Sequence, residues 1–150
     1  MFNFFRKAQI EKNEEIKFDF DIELIGCVLG YEIAVSDGKI DSRELNKIKD
    51  EIMVKSKALG LIPEEVFETI KNHSNESVSF NDFINQINDN FSQDEKLQMI
   101  KFLWQTAYAD NVLEVDEERL IRRIADMISI KDIQVLKLKH QAKESQIINN

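Results

Sequence analysis

Tyr31-Glu32-Ile33-Ala34-Val35-Ser36-Asp37-Gly38-Lys39-Ile40-Asp41-Ser42-Arg43-Glu44 lies without a gap over Trp104-Gln105-Thr106-Ala107-Tyr108-Ala109-Asp110-Asn111-Val112-Leu113-Glu114-Val115-Asp116-Glu117 when the chain is slid 73 residues along itself. An aromatic ring faces an aromatic ring, Ala34 faces Ala107, and the acids Asp37, Asp41 and Glu44 fall on Asp110, Glu114 and Glu117. Before the first loop, Phe18, Ile22, Ile25, Leu29 and Ile33 recur at helical spacing, and after it Leu45, Ile48, Ile52 and Leu59 form a second stripe. Ile48 falls on Ile121 at the same offset. Each copy therefore reads as helix, acidic loop, helix, with Gly38 or Asn111 where the loop turns through a left-handed residue. Two such units predict a pseudo-two-fold all-α bundle that places residues 29–52 over 102–125.

Working outward, few residues interrupt the helices: one Pro and four Gly in 150 residues. Asp41 with Glu44, and Ser92 with Glu95, have the spacing of capping boxes. Gly60 suits a left-handed helix end, and Pro63 suits the first turn of the next helix, predicted over 63–72. His73-Ser74-Asn75-Glu76-Ser77 reads as a polar linker. Ser79 is expected to cap a short helix with Phe80, Phe83, Ile84 and Ile87 turned inward. Helices over 92–108, 115–128 and 131–143 complete a count of about seven. The expected organisation is an N-terminal arm or short helix over 1–17 and one helical domain over 18–150, with repeat units over 18–74 and 92–143. Cys27, Tyr31 and Trp104 are expected in the core.

Net charge is −8, with 11 basic and 15 acidic residues to residue 75 and 9 and 13 after it. That balance argues against nucleic acid as the main partner. A single cysteine excludes an internal disulfide and a Cys-rich zinc site, and points to a reducing, cytoplasmic setting. No apolar run is long enough to span a bilayer. Phe2, Phe4 and Phe5 beside Arg6 and Lys7 suit either a peripheral membrane contact or an arm packed on the body, and packing is the favoured reading. As an enzyme the sequence is thin. His73 and His140 read as solvated and have no nucleophile at a recognisable spacing, and no phosphate-binding glycine loop is present.

The acids of the two loops are the candidate site. Three carboxylates within eight residues repel one another unless a cation offsets them, and carboxylate oxygen is the donor preferred by Ca²⁺, with Mg²⁺ and Mn²⁺ as alternatives. Asp37, Asp41, Glu44, Asp110, Glu114 and Glu117 are the candidate ligands. Asp37 to Glu44 matches the second half of an EF-hand loop, but Ile33 and Val35 stand where the first two ligands belong, so a complete EF-hand is excluded. The competing reading assigns the same acids to helix N-termini, as caps and dipole partners. Both readings stand on the sequence.

Glu32 to Asp41, Ala107 to Asn111 and Glu117 to Ala125, with Leu103-Trp104 before the second segment, resemble the TerB-like family, the tellurite-resistance protein B-like domains of bacteria. The similarity of layout covers residues 18–143. The resemblance implies an all-helical fold of two similar halves, an acidic surface that takes a divalent cation, and a non-catalytic role in stress-response or envelope-associated complexes. Asn111 and Glu114 depart from the Gly and Asp common in the family's second loop. The expected function is a cation-responsive interaction module with a protein partner. The alternative is a metal-independent scaffold whose acidic face binds a basic protein.

Overall fold

The computed structural model describes residues 24–36, 38, 41–74 and 80–149. Seven helices lie among them: α1 (Ile25–Ala34), α2 (Ser42–Leu59), α3 (Pro63–Ser74), α4 (Phe80–Asn90), α5 (Gln93–Ala107), α6 (Val115–Met127) and α7 (Asp132–Asn149). The fold is all-α, and no strand occurs among the described residues. The expected helical segment over 18–23, the N-terminal arm and the Ser79 cap fall outside the described residues.

Local chemistry sets the helix ends. Ser92 Oγ accepts from the Glu95 N–H at 3.2 Å while Glu95 Oε1 accepts from the Ser92 N–H at 2.8 Å, the reciprocal box that opens α5. Gly60, at φ 74°, ends α2, with its own N–H on Lys57 O and the Leu61 N–H on Ser56 O. Ser129, at φ 65°, ends α6 in the same way: its N–H reaches Asp126 O and the Ile130 N–H reaches Ala125 O.

The core gathers around α1 and α5. Gly26 and Gly30 let α5 come close: a Cβ on Gly30 would stand 3.2 Å from the Phe102 ring, and one on Gly26 3.3 Å from Met99. Trp104 is fully buried with its indole N–H unpaired, and Tyr31 meets Phe67 edge-on at 6.0 Å. α1 packs on α2, α3, α5 and α6, and α5 packs on α6, α7, α1 and α2. The other two packed pairs are α2 with α3 and α6 with α7. This set of pairs maps onto itself when α1, α2 and α3 are exchanged with α5, α6 and α7.

The offset of 73 holds from Ala34 and Ala107, where α1 and α5 end, to Ser42 and Val115, where α2 and α6 begin. It then changes. Gly60 corresponds to Ser129 and Pro63 to Asp132, an offset of 69, because α6 is one turn shorter than α2.

Three expectations are corrected. The inner stripe of α2 is Glu44, Ile48, Ile52 and Ser56, with Leu45 and Leu59 only partly buried, so the buried face begins one residue earlier, on an acid. α3 continues to Ser74, and His73 is buried with its ring 5.2 Å from Phe83, not solvated in a linker. Val66, Ile70 and His73 share one helical face, and burial holds the imidazole pKa below its ordinary value. α7 runs six residues beyond 143.

Candidate functional site

Both acidic loops leave a helix by the same turn. The Gly38 N–H donates to Val35 O at 3.0 Å, and the Asn111 N–H donates to Tyr108 O at 2.9 Å. Gly38 has φ 80° and Asn111 φ 65°, the left-handed conformation expected of both. Each loop then delivers the chain to the N-terminus of the next helix, where free N–H groups favour negative charge.

The acids do not all behave alike. Asp41 is the N-cap of α2: its Oδ1 accepts from the Arg43 N–H at 2.8 Å, and the Arg43 guanidinium folds back on the same carboxylate at 3.3 and 3.4 Å. These bonds from Arg43 hold the Asp41 carboxyl below the usual carboxylate range. Arg43 also feels the charge of Asp110, so one cation couples the first loop to the second. Asp110 Oδ1 accepts from the Val112 N–H at 3.0 Å and shapes its own loop. Glu114 is the N-cap of α6, and its N–H donates to Glu117 Oε1 at 3.2 Å.

Glu44 and Glu117, each the third residue of its helix, turn inward and meet. Glu44 is 5% exposed and Glu117 2%, and their carboxyls are hydrogen-bonded to each other. Two carboxylates in such contact in a buried site do not both ionise, so the pair holds one proton. Burial pushes the Glu44 carboxyl up to about 9, helped by the bond and charge of Glu117 and then by the charges of Asp110 and Asp41. Glu44 Oε2 has no hydrogen-bond partner.

Of the six candidate residues, three lie within electrostatic reach of Glu44: Asp41, Asp110 and Glu117. Glu114 contributes its backbone N–H from an exposed position. Asp37 lies outside the described residues. Among those described, no three His, Cys, Asp or Glu side chains are grouped closely enough to hold an ion together. The capping box expected at Asp41 and Glu44 is replaced by the Asp41 to Arg43 contact, because Glu44 points to the core. Arg43 was not singled out by sequence; its only signal is adjacency to Asp41.

An all-helical bundle whose two acidic loops bring a carboxyl pair together at facing helix N-termini defines the structural class. The family model described as tellurite resistance protein TerB matches residues 23–140, and the chain belongs to that family. No curated protein and no solved structure matches it. Among the described residues, no helix is long and apolar enough to cross a membrane.

Proposed function

We propose that the chain is a non-catalytic interaction module of the TerB family, of stress-response or envelope-associated type, whose paired acidic loops respond to a divalent cation and present a surface to a protein partner. The observation that carries this reading is the Glu44 and Glu117 pair: two buried acids, one unpartnered oxygen, and two more acids close by. The donor set fits a hard cation, because every candidate is a carboxylate oxygen. Glu44 and Glu117 would offer the buried oxygens, and because no three described acids are grouped closely enough to hold an ion, the rest of the shell would come from Asp37 or from a ligand brought by the partner. An ion there supplies the positive charge that a shared proton supplies in the free protein. Ca²⁺ is the first candidate, with Mg²⁺ and Mn²⁺ next. A site short of full oxygen coordination falls at about 10⁻⁴ to 10⁻³ M.

The second reading is a metal-independent scaffold whose acidic face binds a basic protein. It is favoured by Arg43, which already neutralises Asp41 and feels the charge of Asp110.

Melting in chelator and in about 5 mM Ca²⁺ separates the two readings. Affinity in the stated range stabilises the bundle by about 1–2 kcal/mol. That corresponds to a rise of about 2–8 °C for a chain of this size. Asp37→Asn, which removes one charge while keeping a similar shape, should abolish most of the rise. No rise with Ca²⁺, Mg²⁺ or Mn²⁺ returns the acids to capping and to the scaffold reading.

A further inference from the structure

The second acidic loop carries side chains that the first does without. At the offset of 73, Leu113, partly buried against the core, falls on Ile40, and Glu117 falls on Glu44. Val112, Val115 and Asp116 fall instead on Lys39, Ser42 and Arg43. The fold is therefore made in the first copy with no apolar residue at the places of Val112 and Val115. In the second copy both stand mostly in water, Val112 53% and Val115 71% exposed. Single apolar residues scattered over a surface are ordinary, but two on one loop that packing does not require form a patch turned outward.

The loop that presents them is tied down. Beyond its own turn, α7 holds it at both ends: Gln146 Nε2 donates to Ala109 O at 3.2 Å, and Lys139 Nζ stands 2.9 Å from Glu118 Oε1 and 5.8 Å from the centre of the Trp104 ring. Gln146 belongs to the part of α7 that α3 lacks, since Ser74, the last residue of α3, corresponds to Lys143 at the offset of 69. More than one extra turn of helix thus serves the second loop alone. A surface fixed before a partner arrives loses little conformational entropy on binding.

Charge decides what fits it. Residues 110–118 hold five acids and no Lys or Arg, whereas 37–45 hold three acids and two cations. Glu117 is turned into the core, Glu118 is held by Lys139, and Asp116 lies 3.8 Å from Arg119. Asp110 and Glu114 remain, and neither has an ion-pair partner among the described residues. Beside Val115 the surface continues into a shallow depression of about 410 Å³ along Glu118, Arg119 and Arg122, whose arginines are paired with Asp116, Glu118 and Asp132. An acidic surface brought here would meet two unneutralised carboxylates, and a basic one would neutralise both.

We infer that the second acidic loop is the docking surface for a basic amphipathic segment of a protein partner, which sets aliphatic side chains on Val112 and Val115 and places Lys or Arg over Asp110 and Glu114. The placement rests on the reading of the chain as an interaction module, and it needs no bound cation.

The test titrates the isotope-labelled full-length chain, in chelator, with a synthetic helical peptide of Leu and Lys and with an Ala and Lys peptide of equal charge, read by amide shifts. Expected are the largest shifts at Val112, Glu114 and Val115, with Gly38 and Ser42 of the first loop little moved. The Leu peptide should bind about tenfold or more tighter than the Ala peptide. Val112→Ser with Val115→Ser should remove that difference and keep helical content and melting temperature, because both side chains stand mostly in water. Asp110→Asn, which keeps an acceptor for the Val112 N–H, should weaken both peptides alike. Equal affinities of the two peptides, or a double-serine variant that still prefers Leu, overturn the inference. Shifts spread equally over both loops overturn the placement while the basic-partner reading stands, and no binding of either peptide overturns both. Self-association of the chain that the two serines abolish assigns the valines to a second copy and also overturns it.

Discussion

Glu44→Gln tests the acid pair directly. In the folded chain the Glu44 carboxyl is pushed up to about 9, against an ordinary value of 4.5. Between those values the folded state holds a proton that the unfolded state releases, so stability falls as pH rises, by about 1.4 kcal/mol per pH unit at most. The contribution is fully present below about pH 4.5 and is lost progressively up to about pH 9. At pH 7, 2.5 units into that window, the ceiling on the loss is about 3 kcal/mol, or about 6–12 °C in melting temperature. Glutamine keeps the shape and donates its amide N–H to Glu117, and it has no proton to lose. In chelator, denaturant melts from pH 7 to 8.5, above the ordinary imidazole range, should show wild type losing stability with pH, and Glu44→Gln nearly flat in that window and more stable than wild type at pH 7. Parallel curves, or a variant less stable at every pH, would refute the shared proton.

Ser92→Ala removes the cap of α5 and should cost about 1 kcal/mol in chemical denaturation. Asp41→Ala should lower the melting temperature by the same amount with and without Ca²⁺, because its contacts are the Arg43 backbone and guanidinium; a Ca²⁺-dependent loss would make it a ligand. Cys27 is 2% exposed and its thiol is pushed up to about 12 by burial, so the native protein should react with a thiol reagent only as fast as the bundle opens. His73 has its pKa lowered by burial, so the unfolded chain takes up a proton that the folded chain refuses. Stability should therefore fall as pH drops below the ordinary imidazole range, and His73→Gln should remove that dependence.

The helix ends were legible because their rules are local. Ser92 and Glu95 form the expected box, Gly60 ends α2, and Gly38 and Asn111 take the expected left-handed φ. His73 was misread because polar neighbours suggested a turn, although it continues the period of Val66 and Ile70. Glu44 was misread for a related reason. A Glu at the third helical position has a ready local role, yet 44, 48, 52 and 56 are successive steps of four, and the same face carries Ile48 and Ile52 into the core. Counting that stripe from the acid would have found it. That Glu117 waits opposite required the packing of α2 and α6 around α1 and α5, which no local rule contains.

The two acids that meet stand at matching places in the 73-residue offset, each the third residue of its helix. If a unit carries an acid at one position and two copies pack so that this position faces its own counterpart, like charges are brought together in the core. Neutralising one of them then relieves both. Substitutions at the two positions should therefore fail to add. Glu44→Gln recovers the cost of the buried like-charge pair, and so should Glu117→Gln, whose Oε1 still accepts from the Glu114 N–H. With either in place the second substitution removes an acid that already has its partner and little more is gained. The double variant should match the better single variant to within a few tenths of a kcal/mol, at pH 7 in chelator. Gains that sum would mean that each acid bears its own desolvation cost, and the shared proton would have to be abandoned.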